Sequence, residues 1–238
     1  MLGAIINLFY PALCKVCSKK INEFNHNICG DCAKKIKERL PPFCMKCGRQ
    51  LKGDPELIAT CQGCKKDTPH FDRAWSACRY DDPLKGLIHD FKYKKITSLS
   101  TDFTALIINF MKKYNVGGGC QIILSIPMHP NRLFRREINH SDILAQGLGK
   151  CLGISYSGNT LKKTKDTLLQ SKLKREARIK NLHSSFSLKN NSIVRNKNIL
   201  LVDDLFTTGS TVNECSRLLK NSGARYVEVI TLARGDSL

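Results

Sequence analysis

The chain has 238 residues, enough for one large or two modest domains with a real core. Lysine and arginine total 39 against 20 aspartates and glutamates, and the net charge of +19 calls for a polyanionic partner or substrate. Twelve cysteines would suggest disulfides in a secreted chain, but their spacing points to metal and to a reducing compartment.

The chain opens on MLGAIINLFYPALC, which is apolar but lacks a basic leader and an A-x-A cleavage site, so no signal peptide is read there. Leu13 precedes Cys14, where a lipoprotein signal needs a small residue. The segment is far too short to span a bilayer, so it is read as a short helix packed on the body or as a surface touch on a membrane. The expected location is cytoplasmic, at most at the inner face of the membrane.

Residues 1–70 hold eight of the twelve cysteines and few strand-length apolar runs, so a metal must supply what a core does not. C-x-x-C occurs four times: Cys14/Cys17, Cys29/Cys32, Cys44/Cys47 and Cys61/Cys64. Two residues between thiols let both bind one ion on a tight knuckle, and two knuckles close a tetrahedral site of four thiolates. This predicts two structural zinc ions. Sequential pairing puts Cys14, Cys17, Cys29 and Cys32 on one ion and the rest on the other; cross-brace pairing is the alternative. Redox dithiols or an iron–sulfur cluster suit eight evenly paired ligands less well. Gly30, Gly48 and Gly63 are expected to ease the knuckle turns. His26 is a spare candidate ligand, although a lone histidine is more often merely exposed. Cys78, Cys120, Cys151 and Cys215 read as buried core thiols.

From Phe71 the pattern changes to αβ alternation. AWSACRY reads as a strand, PLKGLIHDFKY and LSTDFTALIINFMKKY as helices, CQIILSIP as a strand and HSDILAQGLGKCLG as a helix. NILLVDD and YVEVITLAR read as strands. Such alternation predicts an α/β fold with a mostly parallel sheet and flanking helices over 71–238, preceded by the small cysteine-rich region of 1–70. Within 71–238, before the acid-bearing strand, lies a basic insert, 160–198, with eleven lysines or arginines against Asp166 and Glu176, a charge of +9. It reads as a lid over an anionic ligand or as a solvated loop. Residues 1–70 add a further +6, so most of the charge sits where the chain is least core-like.

Within ILLVDDLFTTGST, residues 199–211, a buried strand runs into two adjacent acids and then into hydroxyls around one glycine. VNECSRLLKNSGA follows with helical spacing that puts Val212, Cys215, Leu218 and Leu219 on one face. The acids fall where open α/β sheets place ligands, and the loop falls at a helix N-terminus that favours an anion. The set suits a sugar phosphate. Asp203 and Asp204 can accept from vicinal hydroxyls, directly or through Mg²⁺. Thr207, Thr208, Ser210 and Thr211 offer hydroxyls to a phosphate, and Gly209 lets the backbone approach it. There is no G-x-x-x-x-G-K-[ST], so this is not a P-loop.

This stretch resembles the phosphoribosyl pyrophosphate (PRPP) motif of type I phosphoribosyltransferases. With the four C-x-x-C pairs in front, nearly the whole chain resembles the ComF family of bacterial competence proteins. Further matching segments are YDDPLKGLIHDFKY (80–93), IPMHPNRLFRREINHSDILAQGL (126–148), QSKLKREARIKNLHSSF (170–186) and LLKNSGARYVEVITLAR (218–234). The resemblance implies a double zinc ribbon, then a phosphoribosyltransferase domain, and a role with single-stranded DNA in natural transformation. It implies PRPP with Mg²⁺ as ligand and other competence proteins, such as a helicase, as partners. By the same resemblance Pro127, Met128 and His129 form a pyrophosphate loop, with Arg132, Arg135 and Arg136 beside it as charge partners. The family often has R-G-F-N where this chain has REIN, with Glu137 and Ile138 in place of Gly and Phe. Hypoxanthine-type enzymes carry an acid at the position of Thr207, and its absence argues against that purine chemistry.

Two readings follow. One is a zinc-bearing, PRPP-binding protein that binds or processes single-stranded DNA, with Lys172, Lys174 and Lys180 on phosphates and Phe24, Phe43 or His70 stacking on bases. The other is an active transferase passing ribose-5-phosphate from PRPP to an unknown acceptor.

Overall fold

The computed structural model describes residues 12–21, 26–51, 59–131, 138–165 and 185–235. Two helical turns, α1 (Gly30–Ala33) and α2 (Gln62–Lys66), belong to the cysteine-rich part. Strand β1 (Arg73–Arg79) then leads to α3 (Leu84–Tyr93), α4 (Leu99–Tyr114), β2 (Ile122–Ser125) and α5 (His140–Leu152). A hairpin of β3 (Leu161–Lys163) and β4 (Phe186–Leu188) precedes β5 (Asn198–Phe206), α6 (Ser210–Asn221) and β6 (Tyr226–Arg234).

The main sheet is parallel throughout, in the order β1-β6-β5-β2. Both its faces are covered. In β5, Leu200 and Val202 face one way and Ile199 and Leu201 the other, as the two-residue period requires. Helices α3, α4 and α5 pack on the first face, with Phe91, Phe103, Ile107 and Leu144 fully buried. Helix α6 packs on the second through Val212, Cys215 and Leu219, with Leu218 partly buried against the same cluster. The parallel α/β architecture read from the sequence is the observed one.

Among the described residues the cysteine-rich part has no separate core. Ile21, Ile28 and Ile36 join the first-face cluster, while Cys44, Cys47 and Cys64 join the second. It therefore straddles the sheet at β1. There the chain also satisfies the outward backbone groups of that edge strand. Arg39 N donates to Ala77 O at 3.0 Å, Arg79 N to Lys37 O at 2.9 Å and Ala74 N to Lys46 O at 2.8 Å. On the first face Asp102 of α4 accepts from Asn27 N at 2.9 Å and lies 2.8 Å from His26 Nδ1. His26 is thus a tether to α4 and not a spare metal ligand. Phe43 packs edge-on against Trp75 at 5.7 Å and Tyr114 at 5.4 Å, so it is a docking residue and not a base-stacking one. His70 is exposed; Phe24 lies outside the described residues.

Other expectations need correction. Of the four cysteines read as core thiols, Cys78 and Cys215 are buried, but Cys120 is half-buried and Cys151 is exposed, because it lies on the outward side of the last turn of α5. Of the knuckle glycines only Gly48 needs its freedom (φ +63°); Gly30 and Gly63 begin helical turns in open or ordinary space. The ends of the 160–198 insert form the β3–β4 hairpin, while residues 166–184, with Lys172, Lys174 and Lys180, lie outside the described residues.

A Cβ on Gly48 would sit 2.3 Å from Ala74 O, so the knuckle's turn and its docking on β1 both depend on glycine. Gly48→Ala is expected to destabilise the chain by about 2 kcal/mol or more in urea unfolding. An unchanged midpoint would mean that the knuckle does not dock this way.

Candidate functional site: two thiolate centres and an acid pair

The eight cysteines gather as two groups of four, Cys14/Cys17/Cys29/Cys32 and Cys44/Cys47/Cys61/Cys64. The sulfurs within each group lie within 4.8 Å of one another, so pairing is sequential. Cys17 Sγ–Cys29 Sγ and Cys47 Sγ–Cys61 Sγ are each 3.7 Å. A tetrahedron with zinc–sulfur bonds of about 2.3 Å has edges of about 3.8 Å, so the donor set fits zinc in type and size. Backbone N–H groups point at the sulfurs: Val16 N and Cys29 N at Cys14 Sγ (3.5 and 3.4 Å), and Cys61 N at Cys44 Sγ (3.3 Å). At Cys14, burial works against the thiolate, yet these donors prevail and bring the thiol down to about 6. All four corners of each centre are protein sulfur, which leaves no open position for catalysis.

The acid pair lies near the carboxyl end of β5, which runs two residues further than the sequence reading, to Phe206. Asp203 Oδ1 accepts from Ser141 Oγ at 2.8 Å and from Asp204 N at 2.9 Å. Asp204 Oδ1 accepts from Lys92 Nζ at 2.8 Å. Helices α3 and α5 thus each send one side chain to the pair. Burial, and then the charge of Asp204, push the Asp203 carboxyl up to about 7, against the pull of Lys92 and Ser141.

Beyond the acids, Gly209 takes the left-handed conformation (φ +77°) and caps α6. Its Cα rests on the Phe206 ring; a Cβ there would come within 2.5 Å of Phe206 Cζ. The Thr208 and Ser210 hydroxyls lie 2.9 Å apart at the helix N-terminus, and Thr207 is exposed. A small hollow of about 20 Å³ is lined by Asp203, Thr207, Gly209, Ser210 and Thr211. The fold therefore brings the acid and hydroxyl residues of the 199–211 stretch to one place. Next to β5 the chain leaves β2 through Ile126, whose N–H donates to Val202 O at 2.9 Å, so Pro127, Met128 and His129 emerge beside the acids. Asn139 closes the base of this loop, donating from Nδ2 to Ile126 O at 3.1 Å. Arg132, Arg135, Arg136 and Glu137 lie outside the described residues.

A larger cleft of about 220 Å³ opens behind the loop, between it and the second thiolate centre, with Cys64, Asp67, Thr208, Asn213 and Arg234 among its walls. It is the seam between two docked parts and does not reach the acid pair. Arg234, buried at the end of β6, crosses this seam. Its Nη1 donates to Cys47 O, its Nη2 lies 3.8 Å from Cys47 Sγ, and its guanidinium stacks 4.3 Å from the Phe206 ring centre.

Sequence reasoning missed Lys92, Ser141 and Arg234. Lys92 carried a faint signal, a lysine in the last turn of an amphipathic helix, but only the topology aims it at Asp204.

Comparison with known proteins agrees with this anatomy. A double zinc ribbon domain matches residues 5–65 and a phosphoribosyl transferase domain matches residues 169–237. DNA utilization protein YhgH of Salmonella typhimurium is 32% identical over 177 residues, covering 73% of this chain and 77% of that protein. Competence protein F of Haemophilus influenzae is 32% identical over 181 residues, covering 73% and 78%. The chain belongs to the ComF family of competence proteins. Among solved structures, the glutamine PRPP amidotransferase from B. subtilis overlaps 56% of this chain at 19% identity and a TM-score of 0.37. The ComF chain spans about a quarter (26%) of that enzyme. No helix among the described residues of this ComF chain is long and apolar enough to cross a membrane.

Two predictions follow from these centres. Metal analysis of the purified protein is expected to give two zinc ions per chain, and Cys29→Ser one; iron, or a single ion in the wild type, would contradict the geometry. The second concerns pH. A carboxyl raised to about 7 in the fold, against about 4 unfolded, makes the native state bind the extra proton, so stability falls as pH rises from about 4 to 7. Asp203→Asn keeps an acceptor for Ser141 and removes that loss. It should stabilise the chain by about 1–2 kcal/mol at pH 8, with the gain shrinking toward pH 5 in denaturant titrations.

Proposed function

We propose that this chain is a zinc-bearing, PRPP-binding protein that binds or processes single-stranded DNA during natural transformation. The observation that carries the PRPP part is the acid pair beside a hydroxyl loop at a helix N-terminus. Asp203 and Asp204 are suited to the two ribose hydroxyls and to Mg²⁺, a hard cation that seeks carboxylate oxygen. Burial and, after it, the charge of Asp204 raise the Asp203 carboxyl, and a cation at the pair relieves that repulsion. In this reading Thr208, Gly209, Ser210 and Thr211 hold the 5-phosphate through hydroxyls and helix N–H groups. Met128 and His129, with Arg132, take the pyrophosphate as it points toward the end of β2.

The DNA part rests on charge and on kinship. The net +19 suits a phosphate backbone, and relatives carry the names DNA utilization protein and competence protein. Lys172, Lys174 and Lys180 are assigned to phosphates. The resemblance brings in other competence proteins, such as a helicase, as partners. The second reading, transfer of ribose-5-phosphate to an acceptor, is favoured by the completeness of the acid-and-loop set. Thr207 gives no proton-transferring group at the place where hypoxanthine enzymes carry an acid.

The test is thermal unfolding with PRPP and MgCl₂. A ligand at a hundred times its Kd stabilises by about 2.7 kcal/mol, so the wild type should melt several degrees higher. The double variant Asp203→Ala, Asp204→Ala should fold and show no shift. The same shift in both proteins would remove the acid pair from the ribose site. Labelled PRPP incubated with bases and with DNA separates binding from transfer by whether a product forms.

A further inference from the structure

Helix α3 presents a stripe to solvent. Lys85, His89 and Tyr93 follow at intervals of four residues, and all three are exposed. The His89 and Tyr93 rings lie together, with centroids 4.8 Å apart and planes tilted by 37°. Tyr93 is 59% exposed, while every other phenylalanine, tyrosine and tryptophan among the described residues is buried or half-buried. The fold has hidden its aromatic surface elsewhere and left this ring pair in water. Lys94 and Lys95 continue the stripe past its end, both exposed, with Lys94 ion-paired to Asp90 at 2.9 Å. In the same helical turn, Lys92 reaches Asp204 at 2.8 Å.

We infer that His89 and Tyr93 form a base-stacking platform that seats single-stranded DNA beside the acid pair, with Lys85 and Lys95 on its phosphates. The inference rests on the DNA reading above and gives it a place. Sequence-tolerant single-strand sites combine aromatic faces with a cationic track, and the stripe has both in one line. PRPP itself has no base, so it gives the two rings nothing to stack on. Lysines at both ends of the ring pair favour a polyanion over an apolar protein surface. Tyr93 shares the last turn of α3 with Lys92, so a base on the platform lies within one helical turn of a side chain that reaches the acid pair.

The experiment uses the full-length, zinc-loaded protein and fluorescence anisotropy with two labelled single strands of equal length, oligothymidylate and a fully abasic strand. The phosphates are the same and only the bases differ. Tyr93→Ala should weaken thymidylate binding about tenfold and leave abasic binding unchanged, while Tyr93→Phe and Tyr93→Trp should bind as the wild type does. The salt slope should be unaltered in Tyr93→Ala and reduced by about 0.7 in Lys85→Gln, on both strands. Equal weakening on both strands, no weakening on either, or a tenfold loss in Tyr93→Phe would each overturn the platform. If the wild type retains neither strand at low salt, the DNA reading falls and the platform with it. Retention that is indifferent to Tyr93 removes the platform alone.

Discussion

The open edge of β1 is the constraint on which the rest of the molecule depends. A parallel sheet must be covered on both faces, and its outermost strand exposes a row of unpaired backbone groups. Here one segment meets both needs. The cysteine-rich chain crosses the edge, spends its own backbone groups on Ala74, Ala77 and Arg79, and sends isoleucines to one face and the second thiolate centre to the other. In return the sheet supplies the core that the ribbon lacks. The thiolate centres fix the ribbon's turns, but its apolar side chains are buried only because the sheet is there. Each half is therefore incomplete alone.

That dependence extends to the loop at residues 207–211. Arg234 binds the second knuckle through Cys47 and stacks on Phe206, and Gly209 rests on the other part of the same ring. Burial pushes the guanidinium down from its ordinary value, opposed by the Cys47 sulfur. A buried cation with a thiolate on one side and an aromatic face on the other is adequately compensated; one that loses the thiolate's charge is not. The metal centre and the loop backbone thus meet through one side chain, although about 220 Å³ of open cleft separates them elsewhere.

Much of this was legible in the residues. The period-two burial of β5, the amphipathic helices and the four cysteine pairs each obey local rules, so sequence alone placed the main-sheet strands, the long helices and the ligand sets, but not the β3–β4 hairpin inside the segment read as an insert. The acid pair and its loop were legible because adjacent carboxylates followed by hydroxyls and a glycine form one continuous segment. The docking of the ribbon was not. Phe43 reads as a free aromatic until Trp75 and Tyr114 close around it, and His26 reads as a ligand until Asp102 comes from a helix 76 residues away. Cys151 looks like any other cysteine in an apolar helix until its turn is seen to face water. Lys92, Ser141 and Arg234 were invisible for the same reason: their partners are distant in sequence, and only the sheet order brings them together.

The acid pair itself is an unresolved conflict in the unliganded fold. Two carboxylates stand side by side, Asp203 half-buried and Asp204 buried, and Lys92 donates to the second of them. Ser141 and the Asp204 N–H soften the field at Asp203 without neutralising it. Such an arrangement costs the fold stability, and perturbed carboxyls of this kind cluster at functional sites. A cation arriving at the acids would compete with the Lys92 ammonium for Asp204, in the helical turn that carries Tyr93.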